Sequence, residues 1–138
     1  MNIVLDTNMV ISGIFWKGAP RQVLDLARSG VHTLFTSPDL LEELGDVLSR
    51  EKFAQRLAMA ETSVEELVFG YAALAKTVRP IAFAPVVKND PDDDKVLACA
   101  RAANVEAIVS GDTHLLSLGE YEGITIFTVN QFLARHIK

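Results

Sequence analysis

Asn2-Ile3-Val4-Leu5-Asp6 and Ala107-Ile108-Val109-Ser110-Gly111-Asp112 are two short apolar runs, each closed by an aspartate. Runs of this length, bounded by polar or turn residues, are the pattern of buried parallel strands. In open parallel sheets the ligand site lies beyond the carboxyl ends of the strands. An aspartate at the end of each strand is therefore placed in a shared pocket. Working outward, short apolar runs alternate with helical segments. Strands are expected at 2–6, 32–36, 79–83, 106–110 and 124–128. Helices are expected near 8–15, 20–29, 38–49, 51–59, 63–77, 92–103, 113–118 and 130–136. Such alternation implies βαβ units with right-handed crossovers. The fold class is α/β, a three-layer α/β/α arrangement around a central five-stranded parallel sheet.

Caps fix several helix starts. Ser37-Pro38 sets a hydroxyl at the N-cap and proline at the first helical position. Ser63 and Glu66 form a capping box, and Val64, Leu67, Val68, Tyr71, Leu74, Ala75 and Val78 follow at helical spacing. Pro85-Val86-Val87-Lys88-Asn89-Asp90-Pro91 reads as the one clear loop. No repeat, low-complexity segment or linker interrupts the 138 residues, so one domain over 1–138 is expected.

Hydrophobic residues make up 49 % and charged residues 22 %, which implies a packed core rather than disorder. No apolar stretch is long enough to span a bilayer, and no signal-like start precedes the first strand. A cytoplasmic location without membrane contact is the expectation. Cys99, the sole cysteine, lies in an apolar helical stretch and reads as a small core residue. The net charge of −5 argues at first against nucleic acid as a partner. With four candidate ligands set aside, however, 14 of the 18 acids stand against 13 lysines and arginines, which is near neutrality. Lys17, Arg21, Arg28, Arg50, Lys52 and Arg56 fall in the first half, where phosphate contact and a solvated helix face explain them equally well.

Four acids carry the chemistry. Asp6 has an ordinary explanation as a helix N-cap, but Thr7 and Asn8 can cap as well. A carboxylate closing a buried strand needs a partner, and no lysine or arginine follows until Lys17. Glu43 has Leu40 three positions before it and Val47 four after, so it shares the core face. Glu42 shares its face with Asp39 and Asp46, a solvated stripe. For Glu43 the competing explanation is an edge-of-face glutamate that reaches water. In Asp90-Pro91-Asp92-Asp93-Asp94, acids suit a helix start through its dipole. Phase selects Asp93, because Val96, Leu97 and Ala100 stand three, four and seven positions ahead. Asp90 remains a loop candidate. Asp112 follows Gly111, which permits close approach or an unusual φ, and Ser110 and Thr113 offer hydroxyls beside it. A cap for the short helix after it is the alternative. His114 lies nearby, but neither it nor His32 or His136 has ligand spacing. Converging carboxylates repel unless compensated, and a hard divalent cation is the natural compensator for oxygen ligands.

These residues resemble the PIN-domain family, in the bacterial and archaeal branch of toxin–antitoxin toxins. The resemblance rests on Ile-Val-Leu-Asp6-Thr7-Asn8, Ser37-Pro-Asp-Leu-Leu-Glu-Glu43-Leu with Val47-Leu48, Asp90-Pro-Asp-Asp93 with Ala100, and Ile-Val-Ser-Gly-Asp112 with Leu115-Leu116. It covers nearly the whole chain in the family's order. It implies a parallel sheet with the acids at its carboxyl ends, and cleavage of RNA dependent on one or two Mg²⁺ or Mn²⁺ ions. Carried over by position, the acidic set is Asp6, Glu43, Asp93 and Asp112, with Asn8 in support. A small antitoxin and a second copy of the chain are the partners it implies. Many relatives carry a further acid after the last aspartate, where this chain has Thr113, His114 and Leu115; Ser110 stands where threonine is frequent. The competing reading is a PIN-fold module that binds RNA or protein with little turnover. Phosphotransfer fares worse. A haloacid-dehalogenase-type site needs an aspartate where Asn8 stands, and a receiver domain needs a lysine, yet none lies between Lys95 and Lys138.

Overall fold

The computed structural model describes residues 1–81 and 91–136, with side chains at 1–81 and 94–135. The elements run β1 (Asn2–Leu5), α1 (Thr7–Phe15), α2 (Ala19–Arg28), β2 (Thr33–Thr36) and α3 (Pro38–Leu48). A 3-10 turn at Glu51–Phe53 leads into α4 (Ala54–Met59), then α5 (Val64–Leu74) and β3 (Lys76–Thr77). After these come α6 (Pro91–Ala103), β4 (Ala107–Val109), α7 (Thr113–Leu118), β5 (Glu120–Tyr121), β6 (Ile124–Phe127) and α8 (Val129–His136).

The sheet order is β3-β2-β1-β4-β6-β5. β1 pairs in parallel with β2 on one side and β4 on the other, with Ile3 opposite Leu34 and Ala107. Side chains alternate across these strands as the pleat requires. Ile3, Leu5, Leu34, Ala107 and Val109 meet Val10, Val23, Leu24, Leu44, Leu48 and Phe132 on one face. Val4, Ile108, Ile124 and Ile126 meet Val96, Leu97, Ala100 and Leu115 on the other. Helices thus cover both faces, the expected three layers. The chain leaves β1 toward β2 and β3, then crosses back to β4, so strand order reverses between β1 and β4. Ligand sites of open α/β sheets form in that crevice. Asp6 and Asp112 each follow one of the two strands that border it.

Two boundaries differ from the sequence expectation. The helix expected over 63–77 ends at Leu74, where Ala75 turns extended (φ −92°, ψ 159°). The third strand is Lys76–Thr77, opposite Phe35 and Thr36, and Val78 N–H continues the pairing to Thr36 O at 2.8 Å. Residues 79–81 of the strand expected at 79–83 are not strand, and 82 and 83 lie outside the described residues. The β-branched pair Thr77-Val78 suits a pleated edge better than a last helical turn, while Pro80 cannot donate to a ladder. The loop at 85–91, apart from Pro91 at the start of α6, also lies outside the described residues.

The sheet has six strands rather than five, and β5 runs antiparallel to β6. Its hairpin turn holds Glu122 at φ 49° and Gly123 at φ 83°, the positive-φ pair of a type I′ turn. A two-residue edge strand with glutamate in place of the usual asparagine or aspartate leaves a weak sequence signal. Among the described residues, no helix is long and apolar enough to cross a membrane.

Candidate active site

The site begins with the exit of β1. Asp6 is the N-cap of α1, and its Oδ1 accepts from Met9 N–H at 2.9 Å. Its Oδ2 accepts from Ser110 Oγ and from Gly111 N–H, the latter at 3.2 Å. Asp6 N–H donates to Val109 O at 3.3 Å, tying the two strand exits together. The capping explanation of Asp6 is therefore true but incomplete, because the second oxygen is held from across the sheet. A carboxylate has about four acceptor positions, so three donors leave room on Oδ1. Asp6 is only 6 % exposed. Burial pushes its carboxyl above the ordinary range, and nearby Asp112 pushes the same way; the bonds from Ser110, Met9 and Gly111 pull it down without overcoming burial.

Asp112 follows β4. Its Oδ1 accepts from His114 N–H at 2.7 Å and from Leu115 N–H at 3.3 Å, capping α7. Ser110 Oγ accepts from Asp112 N–H at 2.9 Å while donating to Asp6, so one buried hydroxyl orients both acid-bearing turns. Gly111 needs no unusual φ. Close approach is what it provides, since a Cβ there would stand 3.2 Å from Met9 Cε.

Glu43 enters from α3. The helix starts at Ser37, whose hydroxyl accepts from Leu40 N–H at 3.2 Å. Leu40, Leu44 and Leu48 are buried, and Glu42, Asp39 and Asp46 lie on the solvent side, as helical phase predicts. The Glu43 side chain is 12 % exposed and accepts a hydrogen bond from Thr7 Oγ1. Thr7, itself buried, thus links the residue after Asp6 to the glutamate. Lys95 Nζ stands 3.9 Å from Glu43 Oε2. Asn8 and Thr113 occupy the helix starts beside Asp6 and Asp112, and both are exposed.

Asp93 lies in the first turn of α6, but its side chain, like all of Asp90, lies outside the described residues. Val96, Leu97 and Ala100 are fully buried, so the helix has the phase that its spacing predicts. Among the described residues, no three His, Cys, Asp or Glu side chains stand close enough together to hold an ion. The donors brought together are nonetheless all oxygen, and buried Asp6 with Asp112 beside it needs a positive partner. That chemistry fits a hard divalent cation.

One group beside these acids was missed by sequence reasoning, and one was set aside as ordinary surface. Lys95 reaches Glu43, and its place two residues after Asp93 was the available signal. His114 Nδ1 lies 3.8 Å from Asp112 Oδ1, on a side chain that is 58 % exposed. His32, by contrast, is buried against Phe132, with ring centroids 4.9 Å apart. Cys99 is a fully buried core residue; burial pushes its thiol up to about 12, against a smaller downward pull from Ser37.

Residues 2–114 match the family described as PIN domain. The chain is 28 % identical over 119 residues to the uncharacterized protein MJ1680 of Methanocaldococcus jannaschii, covering 86 % of this chain and 75 % of that one. A chain in the crystal structure of VapBC2 from Rickettsia felis, bound to a DNA fragment from their promoter, superposes with a TM-score of 0.62. That match covers 93 % of this chain and 98 % of the other at 16 % identity, a likeness of fold.

Proposed function

The chain belongs to the PIN-domain family, and from that premise we propose that it is a metal-dependent ribonuclease, the toxin of a toxin–antitoxin pair. The observation that carries the reading is Asp6: a buried carboxylate at the strand-order reversal, held by Ser110, Gly111 and Met9, with a second aspartate beside it. Asp6, Asp112 and Glu43, with Asp93 from α6, would hold one or two Mg²⁺ or Mn²⁺ ions. When bound, such ions supply a water nucleophile at neutral pH and offset charge on the phosphate.

The chain's own residues do the positioning. Ser110 fixes the Asp6 carboxylate and the Asp112 turn at once. Thr7 holds Glu43 toward the strand ends. Lys95 brings a positive charge beside Glu43, where it balances the acids. No side chain is nominated as a dedicated general base. Asn8 and Thr113, exposed at the starts of α1 and α7, would meet substrate or bound water.

The test is hydrolysis of RNA by the purified protein in Mg²⁺ or Mn²⁺. Wild type should cleave, Asp6→Asn should lose activity by about 100-fold or more, and chelator should abolish it. Cleavage that survives both the substitution and the chelator sinks the assignment. The competing module reading draws support from the acid-free stretch after Asp112 and the net charge of −5. It predicts RNA or protein binding without turnover. The antitoxin proposal takes support from the fold likeness to a VapBC2 chain. It is tested by inspecting the adjacent gene for a small reading frame and coexpressing its product, which should copurify and suppress cleavage. Sedimentation at micromolar concentration tests self-association.

A further inference from the structure

We propose that the corner where α1 and α3 both end is a docking platform for single-stranded RNA running out of the acidic site. The inference rests on the ribonuclease reading but concerns a separate part of the surface. Phe15, Trp16 and Phe53 meet there: Phe15 stacks on Phe53 at 5.5 Å and sits edge-on to Trp16 at 5.8 Å. Arg56 lies over the Trp16 ring at 4.3 Å and Lys52 over Phe53 at 5.1 Å. Trp16 remains 43 % exposed. An exposed indole with a guanidinium on its face is the kind of surface on which bases stack irrespective of sequence.

Charge points to the same occupant. The chain carries −5 overall, yet Lys17, Arg50, Lys52 and Arg56 gather in the segments that build this corner, with Glu51 the sole acid among 15–17 and 50–56. Elsewhere several cations are engaged: Arg28 with Asp25, Arg101 with Glu122, Lys95 with Glu43, and Arg21 with the carbonyls of Gly13 and Ile14. Lys76 and Arg79, without such partners among the described residues, are scattered near the β3 edge rather than gathered around an aromatic ring. Among the described residues, none of the four corner cations has a carboxylate within 4.0 Å. A polyanion gains by replacing the counterions they would otherwise hold.

Connection to the acids runs along α1. The helix starts at the Asp6 cap and Trp16 closes it, roughly 15 Å apart at 1.5 Å per residue. Asn8, Ser12 and Trp16 stand at four-residue spacing, an uncharged stripe between the acidic site and the platform. The solvent face of α3, with Asp39, Glu42 and Asp46, would repel a strand. The route along α1 is the electrostatically open one.

The experiment measures fluorescence anisotropy of a labelled single-stranded RNA of about a dozen mixed bases, in chelator, with the full chain. Lys52→Gln/Arg56→Gln should weaken binding about 10-fold or more and flatten the salt dependence by about one to two counterions. Trp16→Ala should weaken binding on the order of 10-fold with little change in salt slope; melting curves check folding, and the exposed Lys52 and Arg56 variants stand in if it does not fold. In metal, a dinucleotide too short to reach the platform should be cleaved equally by wild type and variants, while the longer RNA shows a raised KM. Unchanged affinity in all variants overturns the platform and leaves the nuclease reading standing. So does a wild type that ignores RNA in chelator, or one that binds a duplex of the same labelled RNA with its complement equally tightly. Failure of wild type to cleave the longer RNA in metal, with binding in chelator intact, instead strikes the nuclease reading alone.

Discussion

Asp6 accepts three hydrogen bonds, each favouring the ionised form, and burial still holds its carboxyl above 3.8. The sign of the consequence follows from linkage. Below 3.8 the unfolded and folded states both keep the proton. As pH rises the unfolded chain ionises first, so folding stability attributable to Asp6 falls until the folded carboxyl also ionises, and stays lost above that. Asp6→Asn keeps a capping side chain and removes the titration. In chelator, the variant should therefore gain stability relative to wild type as pH climbs from about 4 toward neutrality, read from denaturant melts at several pH values. A constant difference would mean that Asp6 is solvated like a surface carboxylate. This residue was legible in the sequence because a strand end and a missing cation pointed to it together. The Ser110 hydroxyl bridging two turns was legible only as proximity, since hydrogen-bond direction depends on the register of β1 against β4.

At the scale of elements, α1 and α2 cross so closely that a glycine is required. A Cβ at Gly13 would stand 2.6 Å from Leu24 Cδ1 and 3.1 Å from Pro20 O. Leu24 is fully buried and Pro20 O is backbone, so neither yields cheaply. Gly70, inside α5, is the contrast: a Cβ there would meet nothing within 4 Å. Gly13→Ala should destabilise by about 1–3 kcal/mol through overpacking, less the helix-propensity gain. Gly70→Ala should stabilise by up to about 1 kcal/mol from propensity alone. Equilibrium denaturation of the two variants separates these effects, and equal responses would remove the crowding argument. Helix ends with a hydroxyl cap, such as Ser37 and Ser63, were readable to within a residue. The end of α5 was not. Its apolar stripe continues in phase through Val78, and only pairing with β2 shows that Lys76–Thr77 belongs to the sheet. Helical periodicity cannot reveal a competing strand partner; β5 escaped because two residues before a Glu122-Gly123 turn give little signal of their own.

Across the whole molecule, a parallel sheet whose order reverses between β1 and β4 gathers acids from distant parts of the chain. The fold was readable because strand runs and capped helices alternate along the sequence. The global consequence of a metal centre is mass action on folding: a cation at about 100 times its Kd contributes about 2.7 kcal/mol, roughly 10 °C for a chain of this size. Millimolar Mn²⁺ should therefore raise the melting temperature of wild type by several degrees and leave Asp6→Asn nearly unmoved. Bulk charge supplies a rival cause, because a chain of −5 gains from any added cation. Two controls separate them. NaCl at matched ionic strength should give a smaller shift, and Glu42→Gln, on the solvent stripe of α3, should keep the full Mn²⁺ response. If Asp6→Asn responds like wild type, or NaCl reproduces the shift, the cation is acting on the surface at large, and the four carboxylates do not form a metal centre.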